Sequence, residues 1–371
     1  MSGKLAQLIT DAKRAGWYDY IVQPDRTLHP NNERALFEGC TFDVQAAQDI
    51  MRFYVTALRI KWDAGTVLNQ WEREWIGHYF PRFDLEKRQA TKPFVLMRWW
   101  YERVLSQLFG WKRPDGRRRF DKGFMTTAKK SGKSSTLAGL PLYMTTADQE
   151  EEAEAYATAT AKNQADIVFN KTHHMGCSPT ATLRKSLRAV PSERRIVHEK
   201  SGSIFQALSS DADSAEGKNP HLLIADELHV WSNRQFFNAL MYGDISRTQP
   251  LFFMITTAGE NLTSVGFEEY EFARDLIDPN TPAYSMSHFA FIAEAGRDPI
   301  SGEVAEKLEG ETWNFRWDDP EAWRQANPAL DEGVGSIEKL KAKCEEAKKT
   351  PAKKRSFIRY ITNRWVAAVQ E

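Results

Sequence analysis

From Asp43 to Lys61, apolar residues fall at Val44, Ala47, Ile50, Phe53, Tyr54, Ala57 and Leu58, the alternating three-and-four spacing of one buried helical face. A second helical stretch runs from Phe94 to Phe109, is rich in Trp and Leu, and is expected to stop at Gly110. Beyond Phe120 the period changes, and short apolar runs alternate with helical stretches. Gly123 to Thr127 precedes Lys133 to Tyr143, and Ala155 to Thr160 precedes Asn163 to Met175. Arg195 to His198 and Ser203 to Leu208, joined through Ser201-Gly202, read as a hairpin. Leu222 to Ala225 and Leu251 to Thr256 are continuous apolar runs, as buried strands require. After residue 285 the strand signal fades. Pro320 to Gln325 reads as a helix, as does Ser336 to Lys349, with Ser336 as N-cap. After an interruption at Pro351, Lys353 to Val369 resumes a helical pattern. The expected class is α/β, a mostly parallel sheet flanked by helices. Its core should span residues 111–285, between helical regions at 1–110 and 286–371.

Composition narrows this picture. With 371 residues, 42% hydrophobic and 12% aromatic, the chain has the profile of a folded protein, and disorder is excluded. No apolar run is long enough to span a membrane, and the start shows no secretion signal. The three cysteines are widely spaced, which points to a reducing compartment. A net charge of zero conceals local clusters. Six basic residues lie between Lys112 and Lys122, and seven between Lys348 and Arg364. Asp148 to Glu154 is acidic, and Glu150 to Glu152 within it read as a solvated loop.

The segment Ala128-Lys129-Lys130-Ser131-Gly132-Lys133-Ser134-Ser135 carries the chemistry. It lies between a strand and a helix and ends in the Gly-Lys-Ser triplet of a phosphate-binding loop, although Thr127 stands where such loops usually have their first glycine. Lys133 is placed to reach the β/γ-phosphates of ATP and Ser134 to hold Mg²⁺. Downstream, the strand Leu222 to Ala225 ends in Asp226-Glu227. A charge buried without a partner is costly, so these acids read as functional, Asp226 for Mg²⁺ and Glu227 for polarising a water. The next strand ends in Thr256-Thr257-Ala258, a candidate coupling element beside the γ-phosphate. The order is that of a hydrolytic P-loop NTPase with an additional strand between the phosphate loop and the acids. His173, His174 and Cys177 read as ordinary helix surface, and Asp318-Asp319 as a helix start.

From Pro93 to Trp365 the chain resembles the large terminase subunit of tailed bacteriophages. Pro93-Phe94 through Trp99 resembles the family's adenine-binding region, and Ala128 to Ser134 its deviant phosphate loop. Tyr156 to Ala165, Ser209 to Ala212, and Glu216 to Pro220 follow in family order. Trp323 to Pro328 and Phe357 to Trp365 resemble its lid and linker. Trp100 stands where the family usually has glutamine, offering a ring for the base but no amide. The resemblance implies an ATPase motor that translocates double-stranded DNA into a procapsid. It further implies a homo-oligomeric ring, a small terminase subunit and a portal protein as partners, and the host cytoplasm as location. No nuclease domain is expected here. A trans-acting cation should complete each site, with Lys129, Lys130, Lys218 and Arg247 as candidates. Arg117, Arg118 and Arg119, or Lys353, Lys354 and Arg355, are candidates for gripping DNA. The competing readings are another P-loop translocase or helicase-like ATPase, and a non-catalytic nucleotide-binding assembly protein.

Overall fold

The computed structural model describes residues 2–22, 28–60, 74, 77, 92–93, 97–159, 162–179, 181–209, 217–231, 234–243, 246–281, 283–297 and 314–367. Eight strands form one sheet: β1 (Lys122–Thr126), β2 (Glu154–Ala159), β3 (Leu187–Val190), β4 (Arg195–His198), β5 (Ile204–Ser209), β6 (Pro220–Ala225), β7 (Leu251–Thr256) and β8 (His288–Ile292). Their spatial order is β8-β1-β7-β6-β2-β5-β4-β3. Pairing is parallel from β8 through β5, and antiparallel from β5 to β4 and β4 to β3. Every residue of β6 and β7 is buried, because helices cover both faces of the parallel sheet. That is why their sequences are unbroken apolar runs.

Register decides what this sheet presents. Thr126 of β1 lies opposite Thr256 of β7, and Ala225 of β6 lies opposite Met254 of β7. The carboxyl ends of β1, β7 and β6 therefore emerge side by side. Strand spacing of about 4.8 Å puts β1 and β6 about 10 Å apart, with β7 between them. Open parallel sheets bind ligands outside the carboxyl ends of their strands.

Among the helices, α1 (Val44–Ala57) is N-capped by Asp43, whose carboxylate accepts from Ala46 N at 3.0 Å. It buries Ala47, Ile50, Met51, Tyr54 and Val55, as the spacing predicts. Tyr54 donates its hydroxyl to the carbonyl of Thr136 at 2.5 Å, in α2 (Lys133–Leu137). The helical segment Arg98 to Gly110 contains a π-helical turn at Tyr101–Leu105. Residues of this N-terminal region share one apolar core with Met125, Leu222 and Phe253 of the sheet, so it is a cover for the sheet. Helix α3 (Lys162–Cys177) joins that same core through Val168 and Phe169, while α4 (Val265–Ile277) packs with Phe124 and Phe252 in a second core.

Toward the C-terminus, α5 (Pro320–Ala326), α6 (Ile337–Ala347) and α7 (Pro351–Ile361) surround a small separate core of Ala295, Phe315, Ala322, Trp323, Cys344, Ala347 and Phe357. Asp319 caps α5 and Ser336 caps α6. No described helix is long and apolar enough to cross a membrane.

Three expectations are corrected. The sheet continues past residue 285, since β8 pairs with β1. An edge strand needs apolar cover on fewer neighbours, so its signal rests on alternating Phe289 and Phe291. Strand β3 escaped notice because only Leu187 of its four residues is buried. Finally, α7 begins at Pro351 and ends at Ile361. Proline fits the first turn of a helix, and Asn363 turns the chain at φ 53°.

Candidate functional site

The phosphate-loop segment leaves β1 at Thr126 and turns at Lys130 (φ 72°) and Gly132 (φ 81°) before entering α2. Glycine is needed at 132 on two counts. The backbone is left-handed there, and a Cβ would lie 2.2 Å from Met97 Cε. The loop's first half is held by the C-terminal helices. Thr127 Oγ1 and Ala128 N both donate to the Ala326 carbonyl at 3.0 Å, and Lys129 N donates to the Tyr360 carbonyl at 3.1 Å. The Lys129 ammonium lies 3.6 Å from the centre of the Tyr360 ring. The Ser131 carbonyl accepts from Trp100 Nε1 at 3.2 Å, while the buried Ser131 Oγ has no partner among the described residues. Lys133 is buried and donates to the carbonyls of Thr127 and Thr256, each at 3.2 Å. Burial lowers its pKa, against the opposing pull of Glu227 and Asp226.

The acids close the other side. Asp226 is anchored by its backbone: its N–H donates to Thr158 O at 3.0 Å, and its carbonyl accepts from Trp231 Nε1 at 3.0 Å. Among the described residues, Asp226 Oδ1 accepts only the adjacent Glu227 N–H, at 2.9 Å. Burial, followed by the charge of Glu227, pushes the Asp226 carboxyl up to about 6. Glu227 is left-handed (φ 52°), which turns its side chain toward the end of β7. Its Oε2 lies 3.4 Å from Thr257 Oγ1 and 3.2 Å from His229 Nδ1. Burial would raise this carboxyl, but the His229 hydrogen bond and the charges of Lys133 and Lys129 outweigh it and hold it at about 2. Glu227 is thus an ionised acceptor while Asp226 carries the costlier charge.

Thr256 joins the two sides. Its carbonyl holds Lys133, and its Oγ1 accepts from His229 N at 3.0 Å and lies 3.0 Å from His229 Nδ1. Ala258 N donates to Asn363 Oδ1 at 2.8 Å, and the Ala258 carbonyl accepts from Arg359 Nε at 3.0 Å. Asn363 Nδ2 donates to Thr126 Oγ1 at 3.0 Å and to Ala293 O at 2.8 Å. One side chain therefore ties the ends of β1, β7 and β8. Gly259 lets Trp365 approach, since a Cβ there would lie 2.4 Å from the indole.

The structure separates several residues from this group. Arg247 donates to Asn219 O and Glu152 O and pairs with Glu150 at 3.6 Å and Glu154 at 4.0 Å. Glu154 opens β2, so Arg247 sits at the opposite edge of the sheet, tied to Glu150 and Glu152 of the stretch read as a solvated loop. Lys218, two residues before β6, lies over the Tyr156 ring. Arg118 and Arg119 are 4% and 1% exposed. Arg118 is bidentate to Asp148, which also meets His221 Nε2 at 2.7 Å; Arg119 lies over the Trp111 and Phe120 rings. Neither can grip DNA from there. Trp100 is fully buried and Trp99 is 5% exposed, stacked on Phe291. Trp100 therefore offers no face to a base; its indole supports the phosphate loop instead. Pro93 lies in a short strand paired with Arg59–Ile60, and Phe94 lies outside the described residues, as do 160–161 and 210–216 of the family segments.

His229, Asn363 and Lys171 were not singled out from the sequence. His229 falls two residues after Glu227, which was a usable cue. Asn363 carried only its place in the linker segment, and Lys171 carried none.

The site and the strand order β1-β7-β6 together define a P-loop NTPase fold with its additional strand between phosphate loop and acids. Residues 99–275 match the family described as terminase large subunit, ATPase domain. The chain is similar to the HK97 bacteriophage large terminase at 18% identity, with a TM-score of 0.59 over 86% of this chain and 55% of that one. The likeness is one of fold. It is also similar to the large terminase ATPase domain of Thermus phage P74-26, at 17% identity and TM-score 0.35, covering 48% of this chain and 78% of that one. Protein YmfN of Escherichia coli (strain K12) is 23% identical over 119 residues, 32% of this chain and 22% of that protein. The chain spans little more than half of the HK97 protein and under a quarter of YmfN.

Proposed function

We propose that this chain hydrolyses ATP at the carboxyl edge of its sheet and uses the cycle to drive double-stranded DNA into a procapsid. The observation that carries the reading is the convergence of Lys133 with Asp226 and Glu227, with Thr256 in contact with Lys133 and His229. Lys133 and the backbone of Gly132 to Ser135 bind the phosphates. The donors fit Mg²⁺, which prefers one or two protein oxygens beside phosphate and water oxygens. Asp226 has an oxygen that accepts no described hydrogen bond, and Ser134 supplies a hydroxyl. When bound there, Mg²⁺ neutralises charge on the phosphate oxygens. Glu227, ionised and aimed by His229 and Thr257, orients the attacking water, so catalysis rests on positioning and charge.

The wider reading is a homo-oligomeric ring on a portal protein, working with a small terminase subunit in the host cytoplasm. A positive residue from a neighbour completes each site. With Arg247 and Lys218 at the far edge of the sheet and Lys129 over Tyr360, Lys130 is the favoured trans candidate. Phosphate release from Mg-ATP tests the core of the proposal. Wild type should release phosphate, whereas Lys133→Ala and Glu227→Gln should be slowed by about 10²-fold or more. Equal release by all three would remove the enzymatic reading.

A further inference from the structure

On the site just proposed, and resting on that reading, we infer that Lys171 is a ligand of the nucleotide's phosphate chain, acting from α3 through its contact with Ser135 of the loop. Its ammonium donates to Ser135 Oγ at 3.0 Å. Ser135 follows directly on Ser134, so this contact brings a lysine from a separate helix to the phosphate loop.

Electrostatics give the placement its meaning. Burial lowers the Lys171 pKa, Asp226 opposes that effect, and Lys130 reinforces it. Lys129 similarly acts on Lys133; Lys171 acts on Asp226, Lys129 on Glu227, and Lys133 on both acids. Three ammonium groups, those of Lys129, Lys133 and Lys171, thus act on the two carboxylates of Asp226 and Glu227. Like charges crowded into a half-buried space repel unless an anion joins them. A polyphosphate supplies that anion.

Holding α3 in place does not require this lysine. The neighbouring Thr172 Oγ1 donates to Ala138 O at 2.8 Å and is fully buried, which fixes α3 to the segment after α2. The only described hydrogen bond of Lys171 is to a serine hydroxyl, a weak partner for an ammonium with three donors. Contact with phosphate oxygens would satisfy the rest.

Because Lys171 reaches the loop at Ser135 and its charge acts on Asp226, while Glu227 is held by His229, Lys133 and Lys129, it is assigned to phosphate groups that ATP and ADP share. It should strengthen both ground states without favouring the transition state. The test is calorimetric binding of Mg-ADP and of a non-hydrolysable Mg-ATP analogue to wild type, Lys171→Met and Lys171→Arg, with steady-state hydrolysis alongside. Lys171→Met keeps the aliphatic stem and should weaken both nucleotides about tenfold, as loss of one charge-assisted hydrogen bond implies. KM should rise with kcat nearly unchanged, and Lys171→Arg should recover most of the affinity. Raising salt should weaken binding less steeply in Lys171→Met than in wild type. Wild-type affinity in Lys171→Met, or a fall in kcat alone, would overturn the inference while leaving the ATPase reading intact. If Lys171→Met proves unfolded by circular dichroism, Lys171→Gln is measured by the same criteria. A wild type that binds neither nucleotide would overturn both.

Discussion

An aspartate lifted to about 6 by burial and by a neighbouring carboxylate is a charge that the folded protein holds at a cost. The folded state binds this proton more tightly than the unfolded chain, whose aspartate titrates near 3.8. Its contribution to stability is therefore full below about pH 4 and is lost as pH rises through about 6. Asp226→Asn removes the ion while keeping the shape. The variant should be more stable than wild type at pH 8, by on the order of 2 kcal/mol, and equally stable at pH 4. Urea unfolding of the nucleotide-free protein at both pH values would show this, and a less stable variant at pH 8 would contradict it. Glu227 has the opposite sign: held at about 2, it stabilises above the usual glutamate range and loses that contribution only as pH falls toward 2. The adjacent acids thus differ in what their charge costs, one ionising only near pH 6 and the other ionised from about pH 2 upward.

At the scale of elements, Asn363 joins strands that are far apart in the chain. It is fully buried, and its bonds reach Thr126, Ala258 and Ala293. Removing the side chain strands the Ala258 N–H and the Ala293 carbonyl without partners. Asn363→Gly tolerates the left-handed backbone, so its effect isolates the side chain. It should cost about 2–4 kcal/mol, read as a lower urea midpoint. A loss below 0.5 kcal/mol would mean that the three ends do not depend on this link. The same elements show what the chain revealed in advance. Strands β6 and β7 were legible because burial on both faces leaves an unbroken apolar run. The helix Val44–Ala57 was legible because its buried face repeats every three or four residues. Strand β3 and the true end of α7 were not, since one depends on edge pairing and the other on a side chain that bonds across more than 100 positions. At the candidate site, the spacing singled out Lys133, Asp226 and Glu227, which the fold brings together, whereas Lys171 meets Ser135 only through tertiary packing.

For the molecule as a whole, the basic clusters separate by burial. Around Arg118 the charge is internal, bidentate to Asp148 and backed by His221. Lys353 and Lys354 are exposed on α7, one paired with Glu346 and the other over the Trp317 ring. Arg118→Ala should therefore act as a folding lesion of about 3–5 kcal/mol, because it leaves a buried carboxylate uncompensated. Reversing Lys353, Lys354 and Arg355 to Glu should leave stability near wild type while flattening the salt dependence of duplex binding by about two to three in logarithmic slope. Anisotropy titrations over a salt series would measure this, and an unchanged slope would remove α7 from DNA contact. A last consequence belongs to β7. It is hydrogen-bonded along both sides, to the strand that feeds the phosphate loop and to the strand that ends in the acids. A strand clamped on each flank cannot slide as a rod, so on the proposed reading any change at the bound nucleotide would pass outward through the few residues after Thr256. Those residues lean on Arg359, Asn363 and Trp365, so the turn after α7 would be the first to register it.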